Sequence, residues 1–304
     1  MSAMKPTYYQ MSDQSKLASY FWGAKGTPRG VLLIVHGMME HAQRYDEFAL
    51  YLTQQHYHVL AFDLRVHGQS VPAPQLGQLA PPVNWTHFCQ DIHFFYNHIQ
   101  TSYPDLPIIL MGHSFGSYLV QQFCQEFEPR LAGLLLSGTS FQAPFLTRVG
   151  AAVAQLMGLF QPKNQPSKLL HALVFSPYNR PFRPNRSPLD WLSANPDNVD
   201  RYIKDPLCGV PCSIYFFQTL FKGLSNLYAG LSKRPFPPQC PVLIMTGEQD
   251  SHATDLHRLY DYYEAHSPSL QVHCYPEARH ELLHEHIKDT VYMDISKWLT
   301  QVTT

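Results

Sequence analysis

The chain has 304 residues, a net charge of −1 and about 45% apolar residues, enough to bury a large core as one α/β domain or a domain carrying an insertion. With no Lys/Arg cluster it offers no nucleic-acid surface. Its six cysteines are scattered without a CxxC pair, which argues for reduced thiols over a zinc ribbon or a disulfide framework. No run of 18 apolar residues is present for a membrane span. Residues Met1 to Gln14 are polar and lack the apolar core of a signal peptide, so a cytoplasmic location is expected, with signal-independent export left open.

In chain order, residues 8–22 alternate weakly and predict one or two antiparallel edge strands. Val31-Leu32-Leu33-Ile34-Val35 is a continuous apolar run, as in a strand buried on both faces, and it ends in His36-Gly37-Met38-Met39-Glu40-His41. A helix with apolar Phe48, Ala49 and Leu52 follows. Val59 to Phe62 is the next strand, ending in Asp63-Leu64-Arg65-Val66-His67-Gly68-Gln69-Ser70. Trp85 to Ser102 reads as a helix. Ile108 to Met111 reads as a strand, Gly112-His113-Ser114-Phe115-Gly116 matches G-x-S-x-G, and the apolar residues of 117–124 recur at helical spacing. Strand, tight turn and helix therefore surround Ser114, the context that motif requires.

Leu131 to Leu136 is a further buried strand. Residues 141–235 then change character: prolines crowd at 162–188 and helical apolar stretches replace strands. Val242 to Gly247 restores the pattern, followed by Glu248-Gln249-Asp250 and a helix over about 255–266. Leu270 to Tyr275 is the last strand, His280 lies in the loop beyond it, and a helix over Leu282 to Leu299 closes the chain. The alternation predicts an α/β architecture, a mostly parallel central sheet with helices on both faces. Residues 1–140 and 236–304 form the core in this reading, and 141–235 an inserted helical cap or lid. Ligands bind such sheets at the carboxyl ends of the strands, where Ser114, Asp250 and His280 all fall.

A serine hydroxyl needs a general base in reach, and the base needs an orienting carboxylate. The order Ser114, Asp250, His280 supplies all three: Ser114 as nucleophile, His280 as base and then acid, Asp250 as the group that fixes the imidazole. Glu248 and Asp255 are alternative acids; His284 and His286 are alternative bases. An oxyanion needs two converging backbone N–H groups, expected from Phe115, after the nucleophile, and from Met38, in the loop after the first buried strand. His36, Gly37, Glu40 and His113 flank these groups and are the candidates for contact with substrate. His280-Glu281-Leu282-Leu283-His284 also matches H-E-x-x-H, a zinc motif that needs both histidines on one helix. Charged Arg279 and Glu285 beside it, Pro276 upstream and the lack of a later glutamate weigh against that metalloprotease reading. No metal or other cofactor is expected.

Three stretches carry a resemblance: 36–41 with Arg44-Tyr45, 63–70, and 112–116. Together they resemble the monoacylglycerol lipase and lysophospholipase branch of the α/β-hydrolases, the serine aminopeptidase-like branch. Asn198 to Pro206 resembles a segment of that family's cap, and the Asp250 and His280 blocks match in position. The resemblance covers roughly residues 15–300 and is strongest outside the cap. It implies an α/β-hydrolase fold and a serine ester hydrolase acting on a monoacylglycerol or lysophospholipid. The family often has small residues after His-Gly, where this chain has Met38 and Met39, whose bulk bears on the shape of the substrate.

Phe145, Leu146, Val149, Ala152, Val153, Leu156, Met157, Leu159 and Phe160, with Ile214, Phe216, Phe217, Leu220, Phe221 and Leu224, give the cap two wide apolar faces. Such faces line an acyl tunnel, press transiently on a membrane, or pack the cap on the core. The partner expected is a small acyl ester or lipid, with no nucleic acid and no partner protein. Rival readings are a peptidase on the same scaffold, with Asp190, Asp197, Asp200 or Asp205 holding a free amino terminus, and a hydrolase-like protein that binds without catalysis.

Overall fold

The run Val31 to Val35 is apolar throughout because both of its faces are covered. In the computed structural model, which describes residues 4–142, 144–231 and 240–304, Val31, Leu33 and Val35 join one hydrophobic cluster while Leu32 and Ile34 join another on the opposite side. Eight strands form one sheet: β1 (Thr7–Gln10), β2 (Lys16–Trp22), β3 (Gly30–Val35), β4 (Tyr57–Phe62), β5 (Ile108–His113), β6 (Gly133–Ser137), β7 (Val242–Gly247) and β8 (Leu270–Tyr275). Their order is β1-β2-β4-β3-β5-β6-β7-β8. β1 and β2 pair antiparallel, β2 and β4 likewise, and every other pairing is parallel. The expectation of edge strands over 8–22 holds for β1 only. β2 has a partner on each side and buries Leu17 to Tyr20, so its alternation is blurred by burial on both faces.

Helices α1 (Asp46–Gln54), α2 (Trp85–Ser102) and α3 (Phe115–Phe127) connect the first strands. Between β6 and β7 the described residues add no strand to the sheet. It forms α4 (Pro144–Phe160), α5 (Lys168–Phe175), α6 (Pro196–Lys204) and α7 (Ile214–Leu231), with short 3-10 turns over Ser176–Phe182 and Asp190–Leu192. Residues 232–235 and the side chain of Leu146, both part of the expectations above, lie outside the described residues. α7 settles one question about this stretch: Ile214, Phe216, Phe217, Leu220 and Leu224 are buried in the cluster that contains Phe88 and Phe115, so that face packs on the core. α4 differs. Phe145, Val149, Leu156, Leu159 and Phe160 are exposed, Phe160 at 80%.

α8 (Leu256–His266) and α9 (Lys288–Val302) complete the fold. The last helix begins six residues later than its apolar pattern predicts; Leu282–His284 is only a 3-10 turn. Here the polar groups bond across to the stretch between β6 and β7. Glu281 N–H donates to Leu192 O, and the Glu285 carboxylate accepts from the N–H groups of Ala194, Asn195 and Arg279. Among the described residues no helix is long and apolar enough to cross a membrane.

Two constraints fix the region around the turn between β5 and α3. The first is close packing. A Cβ added at Gly112 would lie 2.6 Å from Gly116 O, and one added at Gly116 would lie 2.1 Å from Val35 O and 2.5 Å from His36 O. The second is Arg44, buried between two carboxylates. Its Nη1 donates to Glu40 (2.8 Å) and to Glu281 (2.6 Å), and its Nη2 donates to Glu281 (2.7 Å) and to Asn198 of α6 (3.3 Å). Burial alone would raise both carboxyls, but the guanidinium overrides it and holds both well below the usual carboxylate range.

Gly116→Ala forces backbone apart and should cost about 1–3 kcal/mol in urea unfolding. Arg44→Met leaves two buried carboxylates without their cation and should cost about 3–5 kcal/mol at pH 7. Because both carboxyls are depressed in the folded state, Arg44 stabilises fully above their ordinary value of 4.5, and this contribution fades as pH falls below it. The stability difference between wild type and Arg44→Met should therefore narrow on acidification, as read from urea midpoints between pH 7 and pH 3.

Candidate active site

Ser114 caps α3 with φ 50° and ψ −118°, a left-handed backbone that a serine adopts only where its surroundings impose it. Its N–H donates to Ser137 O at the end of β6 (2.9 Å), and its own carbonyl accepts from Ser117 Oγ (2.6 Å). The side chain borders a narrow cleft lined also by Gly37, Met38, Glu40, His113, Trp191 and His280. A Cβ built at Gly37 would lie 3.2 Å from Ser114 Cβ, which sets the loop after β3 directly against the serine. Phe115, the first residue of α3, has an N–H with no acceptor inside its helix. The Phe115 and Met38 amides thus belong to two elements that meet at Ser114.

Asp250 follows β7 and His280 lies beyond β8. The structure brings them together: His280 Nδ1 donates to Asp250 Oδ2 at 2.9 Å, and Asp250 Oδ1 accepts from His252 N–H at 2.9 Å. Both side chains are buried. Burial works against each charged form, yet the pair overcomes it, so the Asp250 carboxyl is lowered and the His280 imidazole raised. Among the described residues no hydrogen bond joins Ser114 Oγ to His280. Such bonds are often long before substrate binds.

The four residues expected to touch substrate divide. Gly37, Glu40 and His113 line the cleft. His36 does not: its Nδ1 donates to Gly37 O (2.7 Å) and its Nε2 accepts from Leu64 N–H (2.9 Å). It is a neutral brace for the loop that presents Met38, its basicity pushed down to about 3 by burial and by neighbouring His67. Glu40 is also engaged, accepting from Gly37 N–H (2.6 Å), Tyr45 Oη (3.1 Å) and Arg44. The 63–70 segment is scaffolding. Asp63 accepts from Ala42 and Gln69 N–H at 2.7 Å each, and Arg65 forks onto Asp91 at 2.6 and 2.7 Å.

The H-E-x-x-H match does not form a zinc site. Its residues are not on a helix, His280 is held by Asp250 and Glu281 by Arg44. Among the described residues two other groups bring three donor atoms within 4.8 Å: His41, Asp205 and Cys208, and Asp250, His252 and His280. In the first, Asp205 is satisfied by His41 (2.9 Å) and by Leu207 N–H (2.9 Å). In the second, both Asp250 oxygens are taken. Neither arrangement leaves a carboxylate in want of a cation.

The sequence carried Arg44 and Asn198 in the resembling stretches and Glu281 in the H-E-x-x-H match, but not their joining around one cation, and it did not single out Trp191. The Glu40–Arg44 contact also had a signal in its i,i+4 spacing.

The chain can now be set beside known proteins. It is 26% identical to human "Monoglyceride lipase" over 303 residues, covering 96% of this chain and 89% of that one. It resembles the crystal structure of a thermostable carboxyl esterase from Bacillus coagulans with a TM-score of 0.90 at 21% identity, each chain covered in full. It resembles a soluble variant of monoglyceride lipase from Saccharomyces cerevisiae, solved with a substrate analog, with a TM-score of 0.78 at 20% identity, covering 100% of this chain and 96% of that one. These likenesses establish the α/β-hydrolase fold. A family model, Hydrolase_4, described as "Serine aminopeptidase, S33", matches residues 26–287. A match over that span takes in the serine turn, the acid and the histidine together, and the chain belongs to that hydrolase family.

Proposed function

We propose that the protein is a serine ester hydrolase that cleaves monoacylglycerol-like esters through an acyl-enzyme. The observation that carries this reading is the buried Asp250–His280 pair opening onto the cleft that Ser114 lines. Ser114 Oγ attacks the ester carbonyl while His280 Nε2 takes its proton. The Met38 and Phe115 amides receive the oxyanion. As the intermediate collapses, His280 returns the proton to the departing alcohol; water activated by the same imidazole then releases the fatty acid. Relatives named monoglyceride lipase, and a shorter match to a phospholipase of Bacillus subtilis, support the lipid ester class.

The peptidase reading needs a free carboxylate for an amino terminus. Asp190 is tied to Arg186 N–H and Ser187, Asp200 to Arg186, and Asp205 to His41, so three of its four candidates are engaged. Residues 141–235 are read as a cap. The exposed apolar side chains of α4 fit transient contact with a micelle or membrane surface, with Leu159 at 75% and Phe160 at 80% exposure. The six free cysteines fit a reducing, cytoplasmic setting.

Ser114→Ala should lower kcat on monoacylglycerols on the order of 10⁴- to 10⁶-fold, measured beside lysophospholipids, short esters and peptide amides; near-normal turnover would sink the reading. His280 must be neutral to act and its basicity is raised, so kcat/KM should fall on the acid side with a midpoint above pH 6.5. Leu159→Glu with Phe160→Glu should reduce hydrolysis of micellar substrate and spare a soluble short ester.

A further inference from the structure

Trp191 comes from the stretch between β6 and β7, yet its indole lies against the imidazole of His280. The ring centroids are 5.0 Å apart with planes at 41°. The indole is buried and lines the same cleft as Ser114. Its Nε1–H has no hydrogen-bond partner, so no polar bond of the side chain accounts for its place. Aromatic neighbours hold it: Phe175 stacks on it at 6.0 Å and Tyr178 lies at 5.2 Å.

The backbones of the two residues are tied together on both flanks. Before His280, Arg279 Nη1 donates to Asp190 O (2.6 Å) and Ser193 O (3.1 Å). After it, Glu281 N–H donates to Leu192 O (2.8 Å). Indole and imidazole are thus the facing centres of two cross-linked segments.

The imidazole must carry a positive charge midway through the reaction, in a place almost closed to water. Asp250 answers that charge at Nδ1, and Glu281 and Glu40 do so from farther off. The rings of His113 and His252, each 4.9 Å away, do not share it: burial, with the nearby His280, pushes them down to about 4 and about 3. The remaining aromatic wall is Trp191. A cation within about 6 Å of an indole face is attracted to it, more strongly where water is excluded.

We propose that Trp191 is a positioning residue for catalysis: its indole stabilises the His280 imidazolium that forms as Ser114 is acylated. This rests on the reading of Ser114, Asp250 and His280 as the catalytic set. Chemistry at the base then depends on the 190–193 segment being seated.

The test is the pH profile of kcat/KM on a soluble short-chain ester for wild type, Trp191→Phe and Trp191→Met. Fluorophosphonate labelling of Ser114 comes first; an unlabelled wild type overturns the catalytic reading and this proposal with it. With labelling intact, the acid limb of Trp191→Met should move to lower pH on the order of half to one unit, and that of Trp191→Phe by less. Water filling the vacated space would favour the charged imidazole and move the limb upward. An unmoved or upward limb with labelled Ser114 therefore overturns the proposal alone. If Trp191→Met does not unfold cooperatively in urea, Trp191→Phe decides by the sign of its shift.

Discussion

A guanidinium buried between two carboxylates organises this molecule. Arg44 could not be buried alone, nor could Glu40 or Glu281, since each isolated charge would face a large desolvation penalty. Together they satisfy one another, and each carries a different part of the site. Glu40 also holds Gly37 N–H, which sets the loop presenting Met38. Glu281 adjoins His280. Asn198, which reaches both Arg44 (3.3 Å) and Glu281 (2.7 Å), brings in α6. Tyr202, also of α6, donates to Met39 O at 2.7 Å and lies beneath the guanidinium. The loop after β3, the loop bearing His280 and α6 are therefore positioned against one cation.

The electrostatics around His280 follow from the same packing. The site holds several imidazoles, but burial keeps His36, His113 and His252 neutral, leaving His280 as the one raised by a carboxylate. Burial thus gives identical side chains different basicities. The brace role of His36 depends on its neutrality, because its Nε2 must accept from Leu64 N–H.

What was legible in the sequence was local. The apolar run 31–35, the glycines at 112 and 116 and the helical spacing after Ser117 each report on their own element, and the structure repeats them. Asp250 and His280 were legible by position, each standing just beyond a strand. The pairing of Arg44 with Glu281 was not, because the two meet across 237 positions. The 282–284 segment misled for a related reason: its apolar spacing suits a helix, but the polar groups around it are claimed by residues 192–195. β2 looked like an edge because five of its seven residues, from both faces, are buried, which leaves little alternation. Tertiary bonds override local pattern most strongly around the site itself.

The inserted stretch is mechanically of two kinds. Residues 190–205 are stitched to the loops bearing His280 and Met39, whereas α4 packs on α7 and turns an oily flank outward. A change on the outward flank of α4 therefore leaves in place the bonds that hold residues 190–205 to Arg279, Glu281 and Met39.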